Sequence, residues 1–424
     1  MDLAYVIMKN ILKALRPNFN VFFRRNILNR STQSLSQWPE EPVDLPANQN
    51  GGFYPATLGN KLNATCTIVR KLGWGQHSSV WLARHGGEHE GRYAAVKILS
   101  AHATQVQLQL SDELGFLQSV RDLARESRHP GKAHIVALLD NFEVSSTQGR
   151  HLCLVHEPMG TFPKVDGGLP VPLVKVVAKQ LLLALDFLHR ECHVVHTDLK
   201  PDNILVEIDN VDTAIKIQEE SCPTTTQAVS SEPRSYGIQS RPIHVFSSDE
   251  LLKLSQLSKL NVRLTDFGTA VYINGFHPDI IQPFALRAPD VILGCEWGPS
   301  ADIWNLACLI FEFLTGRWLF VPRGGPTWTA EAYHLAHMPA MAGEAFDPTY
   351  FRTGKFFDKY FDFDGKLRIQ VEGVRGLEQA LESYKVVPDD ELSMCTSFLR
   401  LMLRLQPSDR ASAPDLLEHE WLKV

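Results

Sequence analysis

Residues 196–203 constrain this chain more than any other stretch, because they place three different polar side chains on one short turn. Asp198, Lys200 and Asn203 stand at offsets of zero, two and five, and Pro201 makes the turn rigid. A long apolar helical pattern precedes this octapeptide and three apolar residues follow it, which predicts a loop between a helix and a strand. An Asp that orients a hydroxyl, a Lys that meets phosphate charge and an Asn that holds a metal ion suit phosphoryl transfer.

The composition is typical of a soluble globular protein with room for two or three domain-sized units. Of the 424 residues, 44% are apolar and 21% are charged. The net charge of −6 argues against a general nucleic-acid binder, and no uninterrupted apolar run reaches the length of a membrane span. Seven scattered Cys without a Cys-x-x-Cys pair predict a reducing compartment, no disulfide framework and no zinc site.

Residues 1–60 predict a leader and a linker, both largely irregular. Residues 1–35 carry six Lys or Arg against one acid, Asp2, with apolar residues interleaved. This pattern resembles an organellar presequence, and the alternative is a disordered basic leader or a surface helix. We expect the protein in the cytoplasm and nucleus, with a mitochondrial location as the alternative. Residues 31–60 are rich in Ser, Gln, Pro, Asn and Gly, which predicts an extended linker.

Three β-rich runs follow, over residues 67–72, 79–83 and 93–99. Gly73 and Gly75 lie between the first two runs, where glycines in a turn would let the backbone approach a phosphate closely. A Gly-x-Gly turn is weak evidence when taken alone, since an ordinary hairpin has the same pattern.

Lys97 lies in the third of these runs, where an unpaired buried ammonium would be costly. Residues 104–126 predict a helix that contains two candidate partners, Asp112 and Glu113. We favour Glu113, because such an ion pair orients a strand lysine toward phosphate. The alternatives are that Asp112 is the partner, or that Glu113 lies on a solvated helix face.

Strands over residues 135–144 and 151–156 would complete a small sheet, and residues 157–160 then break the pattern as a linker between two lobes would. Beyond the octapeptide, residues 208–242 are too rich in Ser, Thr, Gln, Pro and Glu to stay folded alone. Leucines over residues 251–260 suggest a short docked helix. We expect the whole stretch to be a mobile insertion.

Asp266-Phe267-Gly268 follows another strand pattern, so the carboxylate of Asp266 could reach a metal ion beside Asn203. A simple Asp-x-Gly turn is the alternative, although its place after the octapeptide argues against coincidence. Residues 301–314 predict a helix that is apolar on nearly every face and so belongs in the middle of a domain. Asp302 at its start is expected to be buried and structural.

Taken together, these stretches resemble the eukaryotic protein kinase fold. The ordered motifs are the Gly-rich turn, Lys97, Glu113, His196-Thr197-Asp198, Asp266-Phe267-Gly268, Ala288-Pro289-Asp290 and Asp302-Ile303-Trp304. Leu72-Gly73-Trp74-Gly75 and Ala301-Asp302-Ile303-Trp304 look like the SR-protein kinase family, and the split domain is similar to its fungal members. The resemblance implies an α+β fold of two lobes. These would be a small antiparallel sheet with one helix over 61–157, and a mainly helical lobe over 158–424 interrupted by a spacer at 208–260.

The resemblance also implies a role for each motif residue. The residues implied to bind ATP are Leu72, Gly73, Gly75, Val80, Lys97, its partner Glu113, and the backbone at Glu157 and Met159, with His156 at the gatekeeper position. The residues implied to act in transfer are Asp198, which would accept the hydroxyl proton, and Lys200, which would neutralise the transferring phosphoryl group. Asn203 and Asp266 would hold Mg2+. Arg410 would pair with Asp290 and anchor the activation segment.

Two departures from the usual kinase pattern bear on regulation. Thr197 stands where most kinases place an Arg that meets an activation-loop phosphate. Between Asp266 and Asp290 the only hydroxyl-bearing residues are Thr269 and Tyr272. A phosphate-controlled switch would lack both its acceptor and its cation, so we expect an enzyme that is active without activation-loop phosphorylation.

Two other departures bear on rate and substrate. Pro283 replaces a Thr whose hydroxyl usually braces the catalytic Asp and Lys, which puts the catalytic rate in question. Residues 326–333 carry one acid where relatives have an acidic docking run. The groove that would hold an Arg/Ser-rich substrate therefore has fewer acidic residues to bind it.

We expect a protein serine/threonine kinase that uses ATP and Mg2+ and acts on Arg/Ser-rich proteins such as splicing factors. The alternative is a pseudokinase, a scaffold that binds nucleotide with little or no transfer. Pro283 and the scarcity of acidic residues over 326–333 favour this alternative, whereas the retained motif residues oppose it. A small-molecule phosphotransferase is disfavoured, because it would not need a peptide-binding segment anchored by Arg410. We expect a monomer that neither binds nucleic acid directly nor spans a membrane.

Overall fold

The computed structural model describes residues 39–45, 47–86, 92–107, 112–162, 167–221, 238–244, 260–371 and 373–423. The basic leader over 1–35 lies outside these ranges, as does nearly all of the leucine-rich stretch predicted to be a docked helix. Within the described ranges, no helix is long and apolar enough to cross a membrane.

A five-stranded antiparallel sheet in the order β1-β2-β3-β5-β4 forms the first lobe. Its strands are β1 Cys66–Gly75, β2 Ser78–His85, β3 Arg92–Leu99, β4 Leu138–Ser146 and β5 Gly149–His156. The helices of this lobe are α1 Ala47–Asn50, α2 Ala101–Gln107 and α3 Glu113–Glu126. Trp81, Val96 and Val155 stand opposite one another in neighbouring strands and are buried in one apolar cluster. They share a face because opposed residues of paired strands point to the same side of a sheet.

A mainly helical lobe follows, and its central helices are α4 Val171–Asp186 and α7 Ser300–Thr315. The others are α5 Val211–Ser221, α6 Pro289–Leu293, α8 Ala330–Ala342, α9 Pro348–Phe351, α10 Phe357–Tyr360, α11 Leu377–Tyr384, α12 Asp389–Met402 and α13 Ala413–Leu417. Its short strands are β6 Gly160–Thr161, β7 Val194–Val195, β8 Ile204–Val206, β9 Val262–Leu264 and β10 Val271–Tyr272. The predicted fold class is confirmed, and α7 is buried on nearly every face as expected.

The helix predicted over 104–126 is two helices, α2 and α3. Residues 108–111 between them lie outside the described ranges. The second helix begins after Asp112, whose side chain accepts a hydrogen bond of 3.0 Å from the backbone N–H of Gly115. An Asp at this position satisfies a backbone donor that the helix itself leaves unpaired, which explains why a new helix starts here.

The glycine-rich stretch also differs from its prediction. Gly73 and Gly75 belong to β1 itself, and the turn to β2 is made by Gln76 and His77. A Cβ atom built on either glycine would meet no atom within 4 Å, so the space beside this backbone is open. The glycines therefore keep a close approach to the strand free of side chains.

The predicted insertion contains structure that its composition does not indicate. Within it the structure describes helix α5 and residues 238–244. Ile215 of α5 and Ile243 are buried against Leu82 of β2. The composition alone could not reveal this, because these segments gain their apolar contacts from the sheet of the first lobe.

Lys71 of β1 joins this insertion to the segment that precedes the sheet. Its side chain is fully buried, and its ammonium contacts the carboxylates of Glu40 and Glu41. The hydroxyl of Ser240 donates a hydrogen bond of 2.8 Å to Glu40. Burial lowers the pKa of Lys71 to about 8, and the Glu40 carboxylate opposes this fall. Two segments remote in sequence therefore converge on one buried cation.

Replacing Lys71 by Met should destabilise the fold, because Glu40 and Glu41 would stay buried without their cation. Removing one partner of a buried ion pair typically costs about 3–5 kcal/mol. Thermal unfolding should show a clearly lower midpoint for Lys71→Met, and adding Glu40→Gln and Glu41→Gln should recover part of the loss. Lys61→Met, which removes an exposed cation, is the matched control. Equal midpoints for Lys71→Met and Lys61→Met would contradict the prediction.

Candidate active site

Lys97 of β3 lies between two carboxylates. Its Nζ is 2.6 Å from Glu113 Oε1 and 2.8 Å from Asp266 Oδ1. Strand register places Val80 directly opposite Lys97, so both side chains face the same side of the sheet. Asp112, the competing partner, caps α3 instead. The strand lysine thus has the partner favoured from the sequence, and the structure adds a contact with Asp266 that the sequence did not predict.

The charges in this cluster support one another. Burial raises the pKa of the Glu113 carboxyl, and the Lys97 ammonium opposes the rise. The same ammonium holds the pKa of Asp266 well below its ordinary value. For Lys97, burial alone would lower the pKa, but the carboxylates of Asp266 and Glu113 outweigh it and raise the pKa. Lys97 and Asp266 therefore stay charged near neutral pH, as binding of phosphate and a metal ion requires.

The octapeptide brings its three polar side chains together, as its spacing predicts. Lys200 Nζ lies 2.5 Å from Asp198 Oδ2. Asn203 Nδ2 donates to the same carboxylate oxygen at 3.1 Å and to the backbone carbonyl of Asp198 at 2.8 Å. Two side chains therefore orient Asp198.

Asp302 is completely buried at the start of α7, and its carboxylate binds the backbone of this loop. Its Oδ2 accepts the backbone N–H of His196 at 2.8 Å and also lies 2.9 Å from His189 Nε2, while its Oδ1 accepts the N–H of Thr197 at 2.9 Å. Thr197 has a φ of 72°, which a β-branched residue rarely adopts. The paired N–H bonds fix that conformation, and the structural role expected for Asp302 fits this geometry. No motif or spacing in the sequence pointed to His189.

Thr197 faces the activation segment rather than a phosphate. Its hydroxyl lies 2.9 Å from the backbone carbonyl of Thr269 and 3.1 Å from the Thr269 hydroxyl. On the other side, the backbone N–H of Gln282 donates to the Thr197 carbonyl at 3.0 Å. The catalytic loop is therefore joined to the start and the end of the activation segment by neutral groups.

Gln282 is a residue that the motif analysis missed. It is buried, with a φ of 69°, and its side-chain amide donates to the Ala301 carbonyl at 2.7 Å and accepts the N–H of Ala288 at 2.9 Å. The guanidinium of Arg287 donates to the Gln282 carbonyl at 3.0 Å. These bonds fix the end of the activation segment against α7. No sequence motif predicted them.

Arg410 and Asp290 form the buried ion pair expected from the sequence, and both side chains are fully buried. Arg410 also donates to the carbonyls of Arg404 at 2.9 Å and Ser300 at 3.1 Å. The guanidinium lies 5.1 Å from the ring centre of Trp304. The pair ties the last helical region to α6, and the further contacts of Arg410 help to compensate its buried charge.

Asn203 and Asp266 offer the oxygen atoms that a magnesium ion prefers. The Asn203 amide nitrogen is used by Asp198, which leaves its side-chain oxygen as a hard donor. Nowhere in the described part of the chain could a group of three or more His, Cys, Asp or Glu hold a metal ion by itself. Mg2+ commonly takes one or two carboxylates together with substrate phosphates, so this sparse donor set fits it.

The other residues expected to hold nucleotide lie on β1, on β2 and on the segment between the lobes. Leu72 and Val80 are half-buried on β1 and β2, beside the open backbone of Gly73. Residues 157–159, including Met159, join β5 to β6 and so connect the two lobes. The Glu157 side chain lies 3.3 Å from Arg263.

Comparison with known proteins finds relatives of this chain by both sequence and fold. The protein kinase domain model matches residues 66–219 and 251–422. The serine/threonine-protein kinase SRPK of Physarum polycephalum is 33% identical, over 98% of this chain and 98% of its own. The protein kinase dsk1 of Schizosaccharomyces pombe is 30% identical over 88% of this chain and 83% of its own, and SRSF protein kinase 3 of Mus musculus is 25% identical over 90% and 91%. A crystal structure of a kinase domain matches with a TM-score of 0.59 over 88% of this chain and 99% of that chain, at 23% identity.

The neighbouring acids Asp112 and Glu113 allow a matched test of the site. Glu113→Gln should weaken nucleotide binding on the order of tenfold, because the partner of Lys97 would lose its charge. Asp112→Asn should leave binding unchanged, since Asn caps a helix as well as Asp. Titration of each variant with ADP and Mg2+ by calorimetry measures both values. Equal losses in the two variants would refute the assignment of Glu113 as the partner that matters.

Proposed function

Since the chain belongs to the protein kinase family and is a serine/threonine kinase of the SRPK type, we propose that it phosphorylates Arg/Ser-rich proteins such as splicing factors. The convergence of Lys200 and Asn203 on the carboxylate of Asp198 is the observation that carries the proposed mechanism. The cluster of Lys97, Glu113 and Asp266 supplies the facing half of the site.

In this mechanism the substrate hydroxyl oxygen attacks the γ-phosphorus of ATP, the bond to the bridging oxygen breaks and ADP leaves. Asp198 orients the hydroxyl and receives its proton, and Lys200 offsets charge on the transferring group. Lys97 holds the α- and β-phosphates. Mg2+, held by Asn203 and Asp266, would neutralise phosphate charge when bound.

The substrate class is supported by the relatives. One is named an SRSF protein kinase and another an SRPK, and each aligns over most of its own length. For such substrates we propose a location in the cytoplasm and nucleus. A pseudokinase is disfavoured, because the lysine, carboxylates and amide that nucleotide binding and transfer require are all retained and grouped together.

Activity without activation-loop phosphorylation is a further part of the proposal. The bonds of Thr197 with Thr269, and of Gln282 with Thr197, Ala288 and Ala301, use only neutral groups. A phosphate usually supplies such an anchor by pairing with arginine. Here the same segment is anchored by side chains that need no modification.

The substrate proposal is tested by transfer of radiolabel from ATP to an Arg/Ser-rich peptide and to a generic basic protein. We expect transfer to the peptide, and at least a 1,000-fold loss in Asp198→Asn with ADP affinity retained, because that change removes the proton acceptor but not the nucleotide contacts. Transfer to the generic protein alone would overturn the substrate class. Transfer to neither, with nucleotide still bound, would overturn the catalytic assignment.

The regulatory proposal is tested with protein treated with phosphatase and checked for full dephosphorylation by intact mass. Its kcat should match that of untreated protein within about twofold, because no phosphate is needed to order the segment. Gln282→Ala should lower kcat about tenfold by releasing Ala288 and Ala301. A large loss of activity after phosphatase treatment would contradict constitutive activity.

A further inference from the structure

His156 lies where the sheet of the first lobe meets the segment between the lobes. It is the last residue of β5 and stands opposite Ala95 of β3. Lys97 lies two residues along β3 from Ala95, so the alternation of side chains along a strand places His156, Ala95 and Lys97 on one face of the sheet. The Lys97 ammonium lies within electrostatic reach of the His156 ring. The ring therefore belongs to the wall of the proposed nucleotide site.

One nitrogen of the His156 ring is already used by the protein. Nδ1 lies 3.0 Å from the backbone carbonyl of Ala137. A carbonyl oxygen only accepts hydrogen bonds, so Nδ1 carries the proton of this bond. Burial lowers the pKa of His156 to about 4 against the opposing bond with Ala137, and the Lys97 ammonium adds to the fall. The ring is therefore neutral near pH 7, with its proton on Nδ1 and a lone pair on Nε2.

The second nitrogen, Nε2, is left as a hydrogen-bond acceptor. In the part of the chain that the structure describes, no group donates a hydrogen bond to it. Because the two nitrogens lie on opposite sides of the imidazole, Nε2 is turned away from Ala137. A ligand that brings an N–H to this point gains a hydrogen bond. A ligand that brings a carbonyl oxygen sets two lone pairs against each other.

The proposed function brings a purine nucleotide to this wall. Its phosphates would be held at Lys97, and its base at the backbone of residues 157–159, which directly follow His156. Adenine carries an amino group on carbon 6, which is a hydrogen-bond donor, whereas guanine carries a carbonyl oxygen there, which is an acceptor. An acceptor nitrogen at residue 156 therefore suits adenine and opposes a 6-oxopurine.

We propose that His156 selects the nucleobase, with Nε2 accepting a hydrogen bond from the 6-amino group of adenine and opposing the oxygen of 6-oxopurines. The inference rests on the proposed use of ATP, but not on the class of protein substrate. The alternative is a histidine at the end of a strand that serves only to bond Ala137. On that alternative, the effect of changing the base would be the same whatever residue stands at 156.

Binding of three nucleoside diphosphates to the full chain tests the proposal, since diphosphates bind without transfer. Calorimetry with Mg2+ compares ADP, inosine 5′-diphosphate and purine riboside 5′-diphosphate, which has no group on carbon 6. The wild-type protein should prefer ADP to the purine riboside on the order of tenfold. His156→Asn keeps a side-chain N–H for Ala137 but has no atom at the position of Nε2, so this preference should fall about fivefold. Because each ratio is measured within one protein, a general loss of stability or affinity cancels.

His156→Gln is the second variant. Its amide can turn either its oxygen or its nitrogen toward the base, so it should bind inosine diphosphate about fivefold better relative to ADP than the wild type does. His102→Asn changes an exposed histidine of α2 in the same lobe, and this matched control should keep the wild-type ratios. Identical ratios in wild type, His156→Asn and His156→Gln would overturn the role of His156 alone. Failure of the wild-type protein to bind any of the three diphosphates would overturn the proposed function as well.

Discussion

The buried carboxylate of Asp302 is the constraint on which the site depends. It accepts the N–H groups of His196 and Thr197 and contacts His189, so one side chain fixes the backbone directly before Asp198. The left-handed conformation of Thr197 costs about 1–3 kcal/mol by itself and persists only where its surroundings enforce it. Helix α7 provides those surroundings, because its apolar faces bury the carboxylate, whose oxygens then bond the loop and His189.

The parts of the site that were predictable from sequence are those set by local pattern or by a local need for charge balance. Asp198, Lys200 and Asn203 converge because they share one turn, and a lysine in an apolar strand requires an acid such as Glu113. Gln282, His189 and the contact between Lys97 and Asp266 were missed, since they arise where segments distant in sequence meet. The same reason explains the insertion, whose helix α5 depends on Leu82 of the first lobe.

The charged groups of the site come from both lobes and are held in pairs. Around Lys97 and Asp198 the chain keeps the charged groups that its relatives imply, and each has a partner at hydrogen-bond distance.

The insertion meets the first lobe on both sides of residues 222–237, through Ile215 before them and Ile243 after them. The two described segments on either side of that interval therefore form part of the first lobe's packing. Trimming the insertion back to its flanking strands would strip apolar cover from Leu82 and remove Ser240 from Glu40. A shortened version of the chain should accordingly keep residues 211–221 and 238–244.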